Sequence, residues 1–129
     1  PAGDAMGGEK AMKLAVGIGL SNRAEADEIV ALVTSCLAGL RGEVEVLASS
    51  RRKAGNVALS SAAERLGAPL LLLDDATLAR QDVPHPSQVA EAHTGLDGVA
   101  EAAALHFGPL LVGKTKSAHA TCAIAEIAP

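Results

Sequence analysis

The sequence predicts an α/β fold, a three-layer α/β/α sandwich with a mixed, mostly parallel sheet of about five strands ending in an antiparallel hairpin. Three observations point there. Short apolar runs alternate with segments of helical period as far as Leu73, the βαβαβ order that favours a parallel sheet with right-handed crossovers. The last two apolar runs, Leu110–Gly113 and Ala120–Ile127, are separated only by Lys114–His119, too short a stretch for a crossover helix, which forces a hairpin. Finally, 27 of the 129 residues are alanine, a composition suited to helices lying close on a sheet.

Taken in order, Leu14–Ile18 reads as the first strand. It closes in Gly17-Ile18-Gly19 and leads through Ser21-Asn22-Arg23 into a helix, giving strand, glycine loop, helix. In that helix Ile29, Leu32, Val33, Cys36, Leu37 and Leu40 fall three and four apart and form one apolar stripe. Glu25, Asp27 and Glu28 load its first turns favourably, and Asn22 with Glu25 reads as a variant capping box. Gly39 and Gly42 are plausible stops, and Glu43–Ala48 is the second strand. Ser49–Asn56 is a polar loop carrying Arg51, Arg52 and Lys53; the helix Val57–Leu66 follows, halted by Gly67, and Pro69–Leu73 is an apolar strand. From Asp74 to Phe107 the pattern is helical: Ala76–Arg80, then Pro86–His93 with Pro86 at the first helical position, then a segment starting at Asp97. Pro84, Gly95 and Gly108-Pro109 punctuate it. Residues 1–13 are expected to be a flexible N-terminal segment and 14–129 a single domain, one that buries roughly two-thirds of its unfolded surface.

Composition narrows the function. Hydrophobic residues at 49% and charged residues at 20% argue against a disordered or fibrous chain. With Phe107 as the lone aromatic residue, no platform for stacking single-stranded bases can be built. A formal charge of −4 repels phosphate backbones, so no nucleic-acid partner is expected. No apolar run approaches the ~18 residues of a membrane span, and residues 1–13 have the wrong composition for a secretory signal; the expected location is cytoplasmic, with no membrane partner. Cys36 and Cys122 lie among apolar residues and read as inert core thiols. No metal site is expected, and no zinc signature, P-loop or Ser-His-Asp order occurs.

The strongest local constellation is Lys114-Thr115-Lys116-Ser117-Ala118-His119. Two ammonium groups, two hydroxyls and an imidazole with no carboxylate are the equipment for gripping a carboxylate or phosphate. The same composition also suits a solvated turn whose lysines blunt a sheet edge. Gly17-x-Gly19 between a strand and a helix lets backbone N–H groups face an anion, or serves only as a turn needing pliable backbone. A full dinucleotide fingerprint wants a third glycine where Asn22 stands, so an NADP-type nucleotide-binding module, with Arg51 and Arg52 on a ribose phosphate, is an alternative from fold analogy. His93, near a predicted helix end, suits the local dipole as a cap.

Several stretches together resemble a known family. They are Val83-Pro84-His85-Pro86-Ser87-Gln88-Val89-Ala90-Glu91-Ala92-His93-Thr94-Gly95, Val99-Ala100-Glu101-Ala102-Ala103-Ala104, and the run from Leu111 through Lys114-Thr115-Lys116-Ser117-Ala118-His119 to Ala125. With Gly17-Ile18-Gly19 and Glu64-Arg65-Leu66-Gly67-Ala68-Pro69-Leu70 in matching order, nearly the whole chain after residue 13 resembles the CobE/CbiG C-terminal domain family of cobalamin biosynthesis. The resemblance implies an α/β/α domain with a mixed sheet and a role in building the corrin ring. CbiG-type members carry this domain behind further N-terminal regions and open a lactone on a cobalt-precorrin, releasing acetaldehyde. This chain is more similar to the stand-alone CobE-like form, and the role expected first is an accessory or carrier protein for a carboxylate-rich tetrapyrrole or precorrin intermediate. A cobalt-precorrin-5A lactone hydrolase activity is the alternative. The partners implied are a corrinoid intermediate and other cobalamin-biosynthesis enzymes; no cofactor is implied.

A macrocycle fringed with carboxylates needs several fixed cationic or N–H donors around an apolar floor. The residues expected to supply them are Lys114, Lys116, Ser117 and His119, with Gly17, Gly19 and Ser21 from the first loop. Lys53 corresponds to a family lysine in the second loop, although Ala54-Gly55-Asn56 follows it here where the family commonly places an acidic residue. Asn22 and Arg23 also differ from the family's usual run. Ser87 and Glu101 either line the same cleft or serve helix starts. His93 and Glu91 are the candidates for any general acid or base.

Overall fold

The computed structural model describes residues 12–81 and 98–127. Five strands, β1 (Met12–Leu20), β2 (Gly42–Ser50), β3 (Leu70–Leu73), β4 (Leu110–Lys116) and β5 (Ala120–Glu126), form one sheet in the order β3-β2-β1-β5-β4. The β1–β2 and β2–β3 pairings are parallel and the β1–β5 and β4–β5 pairings antiparallel. Only β5 therefore runs against the others, and the predicted mixed sheet with its terminal hairpin is the one observed.

The strands' two-residue period sorts their side chains onto two faces of different character. Leu14, Val16, Ile18 and Leu20 of β1, with Leu47, Cys122 and Ile124, pack against α1 (Ala26–Leu37) and α2 (Val57–Leu66) through Ile29, Leu32, Val33, Cys36, Leu59, Ala62 and Ala63. The alternate residues look to α4 (Val99–Leu105), and there almost everything is small: Ala48, Ala123 and Ala125 meet Ala100, Ala103 and Ala104. Each buried Leu, Ile or Val contributes roughly 1.5–3 kcal/mol and a methyl-sized group about 0.8 kcal/mol. The first face thus supplies most of the hydrophobic drive. The second supplies closeness. A short helix, α3 (Asp75–Ala79), sits beside α4, and with it the three predicted layers are complete. No helix among the described residues is long and apolar enough to cross a membrane.

The local signals for α2 are met in full: the Asn56 side chain accepts the Leu59 N–H at 2.9 Å, and Gly67 ends the helix at φ +73°. The entry to α1 differs from expectation. Glu25 occupies the N-cap position without a side-chain hydrogen bond, the Ser21 hydroxyl accepts the Arg23 N–H, and Asn22 caps nothing. The strands run longer than their apolar cores: β1 continues to Leu20, β2 takes in Ser49 and Ser50, and β4 takes in Lys114, Thr115 and Lys116. Ser49 enters because its hydroxyl donates to the Ile18 carbonyl at 2.6 Å, satisfying a buried polar group inside the sheet. The predicted helix Pro86–His93 lies outside the described residues.

Candidate functional site

Because β1, β2, β3 and β4 point the same way, their carboxyl ends share one edge of the sheet with the start of β5. Four connections meet there: Ser21-Asn22-Arg23 after β1, the 3₁₀ turn Arg51–Lys53 after β2, Asp74-Asp75 after β3, and the hairpin tip Ser117-Ala118-His119. Ligands of open α/β sheets bind at this edge, beyond the strands' carboxyl ends.

Hydrogen bonds tie these connections into one rim. The Ser21 N–H donates to the His119 carbonyl at 2.9 Å, which joins the first loop to the hairpin. The Lys53 ammonium donates to the Asn22 carbonyl oxygen at 3.1 Å, which joins the second loop to the first. Asn22 is a neutral acceptor, so this contact positions the Lys53 charge without cancelling it. Glu28 of α1 holds the hairpin tip: one carboxylate oxygen accepts from the Ser117 hydroxyl and from the His119 backbone N–H at 2.6 Å, and the other lies 3.1 Å from His119 Nδ1. Burial pushes the Glu28 carboxyl up, but the hydrogen bonds from Ser117 and His119 outweigh it and hold the group below the usual range.

On the β3 side the rim is charge-balanced. Arg52 donates to both oxygens of Asp75, at 2.7 Å for the shortest contact, and the guanidinium holds that carboxyl down. Asp74 is lowered by the Thr77 N–H it accepts as the N-cap of α3. Arg51, Arg52, Asp74, Asp75 and Ala76 line an open hollow of about 460 Å³. Two arginines offset by two aspartates do not make a grip for a polyanion. That capacity lies on the Lys53–His119 side.

Ser21, Lys53, Ser117 and His119 are thus brought together, and Lys116, the exposed last residue of β4, stands next to them. Four expected residues lie elsewhere. Gly17 and Gly19 are not in a loop: they sit inside β1, Gly17 paired with Ala48 and Ala123 and Gly19 with Thr121. A Cβ on Gly17 would come within 2.0 Å of the Ala100 carbonyl oxygen, so this glycine admits α4 rather than an anion. The strand–glycine–helix turn on which a dinucleotide site depends is therefore missing. Lys114 is interior to β4, and its backbone N–H donates to the Glu101 carboxylate at 2.9 Å. Glu101 is itself completely buried, tying α4 to β4 beneath the rim. Ser87, Glu91 and His93 lie outside the described residues. Among the described residues no group of three His, Cys, Asp or Glu is placed to hold a metal ion.

Sequence reasoning assigned Glu28 only to the helix dipole. Its position on the flank of the apolar stripe, one turn before Leu32, was the available signal: a carboxylate there borders whatever the stripe covers.

The chain's relatives agree with this architecture. The family model for the cobalamin synthesis G C-terminus matches residues 14–125. Protein CobE from a Sinorhizobium species is 36% identical over 121 residues, covering 87% of this chain and 79% of the relative. Among solved structures, that of CobE, a protein from the cobalamin (vitamin B12) biosynthetic pathway, superposes with a TM-score of 0.74 at 28% identity over 91% of this chain and 92% of the other. Cobalamin biosynthesis protein chiG from Agrobacterium tumefaciens str. C58 gives a TM-score of 0.69 at 28% identity, over 90% and 99% of the two chains. A mixed sheet of this order, a match running from the first strand to the last, and this degree of identity lead to one conclusion: the chain belongs to the CobE/CbiG C-terminal family of cobalamin-biosynthesis proteins.

Proposed function

We propose that the rim formed by Ser21, Lys53, Lys116 and His119, with Ser117 holding the hairpin tip to Glu28 beneath it, binds a carboxylate-fringed corrin precursor, and that the protein acts as an accessory or carrier for that intermediate. The observation that carries the reading is the pair of ties Ser21–His119 and Lys53–Asn22, which bring three turns distant in sequence to one edge with a lysine charge left over. A ring with acetate and propionate arms presents several anions on its circumference, and spaced donors on a rim match it better than one deep pocket does. The relatives' place in cobalamin biosynthesis supplies the ring.

The test is a spectral titration with hydrogenobyrinic acid. The expected result is a shift of the visible bands without consumption of the compound, and affinity weakened about tenfold or more in Lys53→Ala, since a charge-assisted hydrogen bond contributes about 1.5–3 kcal/mol. Unchanged affinity in a folded Lys53→Ala variant overturns the assignment of the rim. Acetaldehyde released from a lactone-bearing cobalt-precorrin would replace the carrier role with a hydrolytic one.

A further inference from the structure

The Glu28–His119 contact decides which nitrogen of the imidazole can meet a ligand. Burial would raise the Glu28 carboxyl, but the hydrogen bonds it accepts outweigh burial and keep it ionised, and an ionised carboxylate only accepts. Nδ1, 3.1 Å away, must therefore donate in that contact, so its proton is committed to Glu28. The same carboxylate accepts from the His119 backbone N–H at 2.6 Å and from the Ser117 hydroxyl, which fixes how the ring is presented. The side chain keeps 38% of its surface exposed, on the rim that also holds Ser21 and Lys53, and Nε2 is the ring nitrogen that Glu28 does not engage.

In the neutral ring Nε2 bears a lone pair, which repels a carboxylate. It becomes a donor only when the imidazole takes a second proton. Building on the ring-binding role proposed above, we infer that a carboxylate arm of the corrin precursor docks on His119 Nε2 as the imidazolium, so that each ring bound takes up a proton and rising pH releases the ring. The proton comes from solvent: one N–H bond forms at Nε2, and no other covalent bond changes. Charged groups on the elements around His119 pull in both directions. Glu28 in contact and Glu25 at the N-cap of α1 favour the imidazolium, while Asp27 is engaged by Arg65 at 2.6 Å. Lys116 at the end of β4, with Lys53 and Arg23 in the adjoining turns, opposes it. An anionic ring offsets those cations as it arrives, which drives the uptake further.

Calorimetric titration with hydrogenobyrinic acid, at one pH in two buffers of different ionisation enthalpy, counts the protons taken up per ring. The expected result is uptake by the wild-type protein, with affinity falling as pH rises over roughly pH 6–9, by at most about tenfold per unit for one proton. In His119→Gln the proton count should drop and the profile flatten, whereas uptake by any other group survives. His119→Lys, a cation that needs no added proton, should hold its affinity at the alkaline end. Glu28→Gln should move the wild-type profile to lower pH. Nitrogen NMR of wild-type protein grown on heavy-nitrogen histidine needs no variant for its signal: the His119 ring should change to the imidazolium pattern as the ring compound is added. If hydrogenobyrinic acid binds but His119 stays neutral, or the proton count is the same in wild type and His119→Gln, the inference is overturned while the ring-binding role stands. If hydrogenobyrinic acid does not bind at any pH, that role falls, and the inference with it.

Discussion

Gly17 shows how one atom decides a layer spacing. Added as a Cβ, that atom would sit 2.0 Å from the Ala100 carbonyl oxygen and 2.8 Å from the Ala104 nitrogen, both of them backbone atoms that cannot rotate aside. Gly17→Ala should therefore destabilise the protein by about 3 kcal/mol, the upper end of ordinary overpacking costs. Urea unfolding checks this; an unchanged midpoint would mean that α4 does not press on β1. The sequence reading placed Gly17 and Gly19 in a loop because glycine after an apolar run usually marks a turn. The competing use, a small residue where two backbones approach, depends on a helix that follows more than eighty residues later. Glu28 was hidden for the same reason. Its acidity was legible, but its partners Ser117 and His119 stand 89 and 91 positions away.

Elements with local boundary signals were the most legible. The helix from Val57 to Leu66 was bounded correctly because Asn56 and Gly67 state its ends within the sequence itself. Strand lengths were less so: β2 and β4 extend into polar residues whose stabilising contacts, such as Ser49 on Ile18, are made to other strands. For the candidate site, the hairpin was visible as a donor-rich run, whereas its division into strand residues and a three-residue tip was not, so Lys114 lies lower than expected. The junction of α1 with that tip predicts a pH response. The Glu28 carboxyl is held below the ordinary glutamate value of 4.5, so its stabilising contribution is complete above that value and is lost as pH falls through the folded-state pKa. Unfolding free energies of wild type and Glu28→Gln should differ at neutral pH and converge progressively below pH 4.5. A gap that stays constant on acidification would show that Glu28 is not the anchor.

The described part of the molecule is asymmetric across its sheet, large side chains on one side and, on the other, mainly alanines together with Leu73, Leu78, Phe107 and Leu110. Cys36 and Cys122 belong to the first side and report on its integrity. The hydrogen bond with Cys122 draws the Cys36 thiol down to about 6, while the same contact, with burial, pushes Cys122 up. Acidity therefore does not protect Cys36 from a thiol reagent at neutral pH; coverage does, since the two residues are 7% and 0% exposed. Labelling should follow the global unfolding curve in urea for both cysteines. Modification of Cys36 ahead of that curve would reveal that α1 detaches on its own, taking the hairpin's anchor with it.

The alanine layer also carries information along the molecule. Alanine has no side-chain torsion to adjust, so a steric insult where Ala100 and Ala104 meet Ala123 and Ala125 finds little to absorb it and pushes α4 as a rod. That rod carries in its first turn the Glu101 carboxylate, which accepts from the Lys114 N–H of β4 two residues before that strand ends at the hairpin tip presenting His119. Crowding at the floor of the sheet would accordingly be felt as tilt at the crown, and laboratory selection acting on the proposed rim should find some of its answers there, far from the rim's own side chains.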